Sequence, residues 1–192
     1  MRVTKEQFAE NREHILVAAG ELFREKGFDG ISIAEVMKAA GLTHGGFYRH
    51  FESKEDLLSK ACEAVLEGGA QRWAQTAQAE PDKALDIIAQ RYLSEAHLES
   101  PGKGCIYATM ASDAARQSDA IRTAFGNGLQ AMLGVLARIV PCRSRAARRK
   151  RAIVTMSQLV GAMVLARAVN DPVLAREILS ASANDIKTRE SD

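Results

Sequence analysis

Residues 32–51 read SIAEVMKAAGLTHGGFYRHF, and this stretch decides the fold. Ser32 and Glu35 have the spacing of a capping box, which marks the start of a helix. Gly41 is expected to end that helix after about two turns, because glycine readily closes a helix in the left-handed conformation. Thr43 then predicts the start of another short helix. Two short helices joined by a glycine turn form the helix-turn-helix layout.

The second helix of this pair has two unlike faces. Phe47 and Phe51 are four residues apart, so both can pack on the preceding helix. A helix that enters the major groove needs its other face free for DNA. Two adjacent glycines cost an α-helix about 1 kcal/mol each, and a close backbone approach to DNA would account for them. We expect these residues to contact DNA: Ser32, Thr43, His44, Gly45, Gly46, Tyr48, Arg49, His50 and Lys54.

Helix signals continue on both sides of this motif and leave no room for a strand. A first helix is expected over residues 5–26, and Ser53 caps a fourth that continues to about residue 78. Later helices are expected over 105–116, 119–140 and 144–169, with others beginning at Pro81 and Pro172. The predicted fold class is all-α with about nine helices. A three-helix helix-turn-helix domain (residues 1–52) precedes a helical ligand-sensing and dimerisation domain (53–192).

Composition is that of a globular protein, with 46% hydrophobic and 26% charged residues among 192. The net charge is only +2, so any basic surface for nucleic acid must be local. The first residues are polar and lack an apolar signal-peptide core, which predicts a cytoplasmic protein. Residues 152–166 form a long uncharged apolar stretch, which is too short for the ~20 residues of a membrane span. We therefore expect no membrane partner.

No motif in the sequence indicates metal, cofactor or catalysis. The cysteines at 62, 105 and 142 are too widely spaced for a disulfide framework or a metal knuckle. His44 and His50 are six residues apart, off one helical face. Serine-hydrolase, phosphate-loop and dinucleotide signatures are missing. We expect no cofactor, no metal and no enzymatic activity. A helical ligand-binding protein or an enzyme without a DNA role is the alternative interpretation.

Residues 42–51 (LTHGGFYRHF), followed by 53–58 (SKEDLL), resemble the DNA-binding signature of the TetR family of transcriptional regulators. The resemblance extends back through residues 18–23 (AAGELF) and covers the first 60 residues. In the later chain, Gly104-Cys105 and residues 114–117 (AARQ) resemble a branch of the family that includes electrophile-responsive repressors.

The resemblance implies roles for single residues. Tyr48 and His50 would grip phosphates, and Lys54 would anchor the next helix to the DNA backbone. Residues 43–46 would lie nearest the bases. Ala34 stands where some members carry a base-reading arginine, so we expect that contact to be missing.

The resemblance also implies a repressor that binds a palindromic operator as a homodimer and is released by a small-molecule effector of unknown identity. Residues 152–169 are apolar on more than one face, which predicts that the last two helices pair with their mates. The residues expected at this dimer interface are Met156, Val160, Met163, Val164, Leu174 and Ile178.

Bulky residues of the helical body are candidates for an effector or redox site: Trp73, Cys105, Tyr107, Met110 and Phe125. Cys105 follows a glycine loop and opens a predicted helix, where the helix dipole would lower the pKa of the thiol. The alternative is that Cys105 is a packing residue.

Overall fold

The structure, a computed structural model, describes residues 4–188. Within that range the chain forms nine α-helices, two 3₁₀ segments and no strand, so the all-α prediction is confirmed. The α-helices are α1 (Lys5–Lys26), α2 (Ile33–Ala39), α3 (Lys54–Ala79), α4 (Ala84–Tyr92), α5 (Glu95–Glu99), α6 (Tyr107–Ala114), α7 (Asp119–Ile139), α8 (Arg145–Ala168) and α9 (Pro172–Thr188). The 3₁₀ segments are His44–Arg49 and Pro101–Lys103.

The early helices begin at the caps that the sequence indicates. The Thr4 hydroxyl accepts a hydrogen bond from the Gln7 amide at 3.1 Å. Both bonds of the capping box between Ser32 and Glu35 are present. The Ser53 hydroxyl caps α3 in the same way. These side chains replace partners that the first amides of a helix otherwise lack.

The third helix of the helix-turn-helix differs from the prediction. It is a 3₁₀ segment over His44–Arg49, and the Thr43 side chain makes no capping hydrogen bond. Gly45 and Gly46 are poor α-helix formers, and the tighter 3₁₀ turn suits a stretch of only six residues. We call residues 43–50 the reading segment.

Helix boundaries in the middle of the chain also differ. The helix expected from Pro81 begins at Ala84, and the helix expected over 105–116 spans only Tyr107–Ala114. The short helix α5 was not predicted, although the Ser94 hydroxyl caps it by accepting from the His97 amide. Five residues are too few for an apolar repeat to show.

Helices α3 and α7 form the centre of the body and approach each other closely. A Cβ atom on Gly128 would lie 2.6 Å from Leu66 Cβ, and one on Gly69 would lie 2.7 Å from Met132 Cε. Gly128 in α7 therefore marks close packing rather than a kink. No helix in residues 4–188 is long and apolar enough to cross a membrane.

The last two helices pack on each other and on this core, which corrects part of the predicted dimer interface. Met156 and Met163 are 3% and 0% exposed, because they point into the core of their own chain. Val164 and Leu174 are exposed, whereas Val160 and Ile178 are half-buried. One apolar face of α8 therefore packs into the core of its own chain, and another is exposed to solvent.

Gly41 gives a test of the turn between α2 and the reading segment. Its φ is +71°, and a side chain there would meet nothing within 4 Å. We expect Gly41→Ala to lower the free energy of unfolding by about 1–2 kcal/mol, because an L-residue is strained at positive φ. Urea unfolding followed by circular dichroism measures this.

Gly45→Ala is the matched control, since it also has open space but no positive φ. We expect no loss of stability in this variant. Equal losses in the two variants would contradict the backbone explanation.

Candidate DNA interface and ligand cavity

The reading segment presents its polar residues to solvent and its aromatic residues to the core. Phe47 and Phe51 are buried, with ring centroids 5.8 Å apart. Tyr48 is 69% exposed, and its ring meets Phe47 edge-on at 5.1 Å. Thr43, His44, Gly45 and Arg49 are exposed, and Gly46 and His50 are half-buried. The face expected to contact DNA is therefore open to solvent.

Helix α1 fixes the end of this segment through residues that the sequence analysis missed. The Phe8 ring stacks on the His50 ring, with centroids 4.2 Å apart. Arg12 donates from Nη1 to the His50 carbonyl at 2.5 Å, and its guanidinium lies 4.4 Å from the centre of the Phe51 ring. Burial lowers the pKa of His50, and Arg12 and Arg49 lower it further. The i, i+4 spacing of Phe8 and Arg12 was the available signal.

The remaining candidates, Ser32 and Lys54, differ in their freedom to bind DNA. The Ser32 amide and hydroxyl both donate to Glu35, at 2.8 and 3.0 Å, so this side chain is already engaged. These bonds, together with Lys26, lower the pKa of Glu35 to about 2. Lys54 opens α3 directly after its cap and is half-buried.

This region matches known proteins. Residues 15–61 match the family profile described as "Bacterial regulatory proteins, tetR family". Over 62 residues the chain is 45% identical to the HTH-type transcriptional regulator AcrR of Shigella flexneri, which covers 32% of this chain and 29% of that protein. Residues 15–61 thus resemble the DNA-binding region of TetR-family regulators. Over 130 residues it is 25% identical to the HTH-type transcriptional repressor NemR of Escherichia coli, covering 66% of this chain and 65% of that protein.

Solved structures share the TetR fold along nearly the whole chain. The reduced form of E. coli NemR superposes with a TM-score of 0.79 at 21% identity, covering 93% of this chain and 95% of that one. A TetR transcriptional regulator from Chloroflexus aurantiacus gives a TM-score of 0.80 at 22% identity, covering 97% of each chain. In sequence, the chain spans 29% of AcrR and 65% of NemR. These relatives are transcriptional regulators rather than enzymes, in agreement with the expectation from sequence.

The helical body contains a cavity of about 450 Å³ between α3, α4 and residues 94–106. Trp73 and Cys105, two of the candidate effector-site residues, line it. Tyr107, Met110 and Phe125 do not line it. The Tyr107 hydroxyl donates to the Phe125 carbonyl at 2.6 Å, and the two rings meet edge-on, so this pair is core packing.

Cys105 does not have the lowered pKa that its position in the sequence indicated. It precedes α6 rather than opening it, and its sulfur is enclosed beside the Tyr92 hydroxyl although the residue as a whole is half-buried. Burial raises the pKa of the Cys105 thiol more than the neighbouring hydroxyl and backbone amides lower it. The thiol is therefore protonated at neutral pH, and the predicted thiolate is wrong.

His97 is the residue that holds this wall of the cavity together, and the sequence analysis missed it. Its Nε2 accepts a hydrogen bond from the Cys105 amide at 2.9 Å. Its Nδ1 therefore carries the proton and donates to the Tyr92 carbonyl at 2.6 Å. Arg167 donates to the His97 carbonyl at 2.5 Å. Burial lowers the pKa of His97, and Arg167 lowers it further, which keeps the ring neutral.

The lowered pKa of His97 predicts a loss of stability in acid. The unfolded chain binds a proton at the ordinary pKa of about 6.5, whereas the folded chain does so only at lower pH. The stabilisation is therefore complete above that ordinary value and is lost as the pH falls from there towards the folded value. Urea unfolding at a series of pH values between about 7.5 and 5 should show the decline.

Substitution isolates the contribution of this one histidine. Gln can keep an acceptor for the Cys105 amide but does not titrate, so His97→Gln should lose less stability on acidification than wild type. His14→Gln, at an exposed position of α1, should follow wild type. An unchanged slope in His97→Gln would show that protonation of His97 does not limit stability.

Proposed function

We propose that the chain is a transcriptional repressor that binds a palindromic DNA operator as a homodimer and is released by a small-molecule effector. The observation that carries this proposal is the exposed polar face of the reading segment, inside the region that matches the TetR family. Residues 1–52 would read DNA and residues 53–192 would sense the effector and dimerise. Such a regulator would act in the cytoplasm, where the chromosome is.

Exposed apolar side chains on α8 and α9 support the dimer. These residues are Ile153, Val154, Val164, Leu165, Val173 and Leu174. Large apolar side chains at neighbouring surface positions indicate an interaction site, and pairing with the same helices of a second copy would cover them. Two reading segments in such a dimer would meet half-sites about 34–36 Å apart, one turn of DNA.

Residues 100–105 support a link between the cavity and α1, the helix that contacts the reading segment through Phe8 and Arg12. They form part of the cavity wall, and Arg24 of α1 donates from Nε to the Gly102 carbonyl at 2.6 Å. An effector that displaces this wall therefore acts on α1. A coupling of about 1–3 kcal/mol would change DNA affinity by roughly 5–150-fold.

Sites selected by the purified protein from random DNA test the proposal. We expect an inverted repeat, and gel shifts on the selected site should show binding by a dimer. Recovery of no preferred sequence would favour the alternative, a helical ligand-binding protein without a DNA role.

Phosphate contacts should show as a loss of affinity without loss of sequence preference. We expect Lys54→Ala to weaken binding similarly on the selected site and on random DNA, and to reduce the salt slope by about one unit. Tyr48→Ala and His50→Ala should also weaken both. Fluorescence anisotropy at several salt concentrations measures the effect.

The matched control is Lys83→Ala, an exposed lysine at the start of α4 and outside the reading segment. Its affinity and salt slope should equal those of wild type. Unchanged binding in the Tyr48, His50 and Lys54 variants would place the DNA interface elsewhere.

The dimer should depend on the outer face of α8. Val164 is 42% exposed, and a charge there would have to be buried against a partner. We expect Val164→Glu to produce monomers at micromolar concentration and to weaken operator binding with it. Light scattering coupled to gel filtration gives the mass.

Val17→Glu is the control, because Val17 is 52% exposed on α1, away from α8 and α9. It should remain a dimer. A wild-type monomer at the same concentration would refute the proposed assembly.

A further inference from the structure

The inner wall of the cavity is apolar. The residues that form it are Val65, Leu66, Trp73, Ile88, Ile106 and Met132. Leu66, Ile88, Ile106 and Met132 are buried, so they form the floor. A cavity of about 450 Å³ is within the range that takes small organic ligands. The floor therefore fits a hydrocarbon or aromatic body.

The charged residues of the cavity are all of one sign. Arg72, Arg91 and Lys103 line it, and no aspartate or glutamate does. All three side chains are exposed, which places them at the mouth. Within residues 4–188, the ion pairs and side-chain hydrogen bonds involve other arginines and lysines but not these three. Their charges are thus available to a ligand.

Two further arginines add positive charge behind this wall. Burial lowers the pKa of Arg24, Glu21 raises it and Arg72 lowers it again, so this guanidinium has both an acidic and a basic neighbour. Nη1 of Arg167 is buried without a hydrogen-bond partner in the described part of the chain. Arg167 therefore adds positive charge beside the cavity, whereas the charge of Arg24 is partly balanced by Glu21.

The floor holds one polar group with unfilled bonding capacity. Tyr92 is 6% exposed and lines the cavity, and its buried hydroxyl makes no hydrogen bond of regular geometry within residues 4–188. The Cys105 thiol lies beside it and is a weak partner. Leaving a buried hydroxyl unpaired is costly, and an acceptor atom on a ligand would satisfy it.

We infer that the cavity binds an apolar monocarboxylate, with its body on the floor and its carboxylate among Arg72, Arg91 and Lys103. A neutral apolar molecule would leave the charges at the mouth uncompensated. A small inorganic anion would leave the apolar floor exposed to water. Binding of this ligand does not depend on the proposed function, whereas its role as the effector rests on it.

The chain contains one tryptophan, and it lies in the cavity, so its fluorescence reports binding directly. Decanoate and decan-1-ol have the same chain length but differ in charge. We expect decanoate to change Trp73 fluorescence saturably and to bind at least about tenfold more tightly than decan-1-ol, as a charge-assisted contact predicts. Raising NaCl from about 50 to about 500 mM should weaken only decanoate binding.

The triple variant Arg72→Met/Arg91→Met/Lys103→Met removes the charges from exposed positions and keeps side chains of similar length. It should bind decanoate about as weakly as decan-1-ol, while binding of the alcohol stays unchanged. Arg122→Met, an exposed arginine of α7 outside the cavity, should behave as wild type. If the triple variant binds neither ligand, the effect of NaCl on decanoate binding by wild type tests the inference instead. Weaker binding at high salt supports the inference, and unchanged binding contradicts it.

Three results would overturn the inference: equal affinity of wild type for decanoate and decan-1-ol, full decanoate affinity in the triple variant with the alcohol still bound, or no saturable response to either ligand. Gel shifts with the selected operator separate this from the proposed function. Saturable decanoate binding by a protein that selects no DNA site refutes only the proposed repressor function. Operator binding without any decanoate response refutes only the ligand class.

Discussion

Helix α3 is held against α7 by two contacts that leave no room for a side chain. Gly128 lies against Leu66, and Gly69 lies against Met132. With 26 residues, α3 is about 39 Å long, so it runs from the cap beside the reading segment to the cavity wall at Trp73. Helix α3 therefore reaches from the reading segment to the cavity, and between them it is packed closely against α7. Substituting Gly128 would have to separate α3 from α7, because it meets the Cβ atom of Leu66, whereas the end of the Met132 side chain could move away from a side chain at position 69.

Residues 100–105 connect the same two regions in a different way. They contain only one short 3₁₀ turn, and outside partners determine their position. Arg24 holds the Gly102 carbonyl from the side of α1, and His97 holds the Cys105 amide from the side of α5. Gly102 is also buried against α1, beside Glu25. Movement of this segment would therefore act on α1.

The features that depend on residues close together in the chain could be predicted from the sequence. The caps at Thr4, Ser32 and Ser53 lie within three residues of their partners, so spacing alone identified the starts of three helices. The face of the reading segment also followed from spacing, because Phe47 and Phe51 are one turn apart.

Features that depend on distant residues could not be predicted. Met163 and Val164 are adjacent and both apolar, yet only Val164 is exposed, and periodicity could not assign one face to the core and another to a partner. For Cys105, position in the chain suggested a helix dipole, whereas burial against Tyr92 sets the pKa. His97 gave no signal, since its partners are a carbonyl and an amide of the backbone.

The distribution of charge in the cavity has a consequence for the orientation of any ligand. Burial lowers the pKa of His97 and raises the pKa of Cys105 and Tyr92, so all three side chains are uncharged at neutral pH. The polar side chains Tyr92, His97 and Cys105 that line the cavity are thus uncharged, while the cations that line it lie at the mouth. An amphiphilic anion would match this lining with its apolar end on the floor. Its charge would then lie near Arg72, which neighbours Arg24, and Arg24 also donates to the Gly102 carbonyl. The two guanidiniums would thus connect the charge of a ligand to α1.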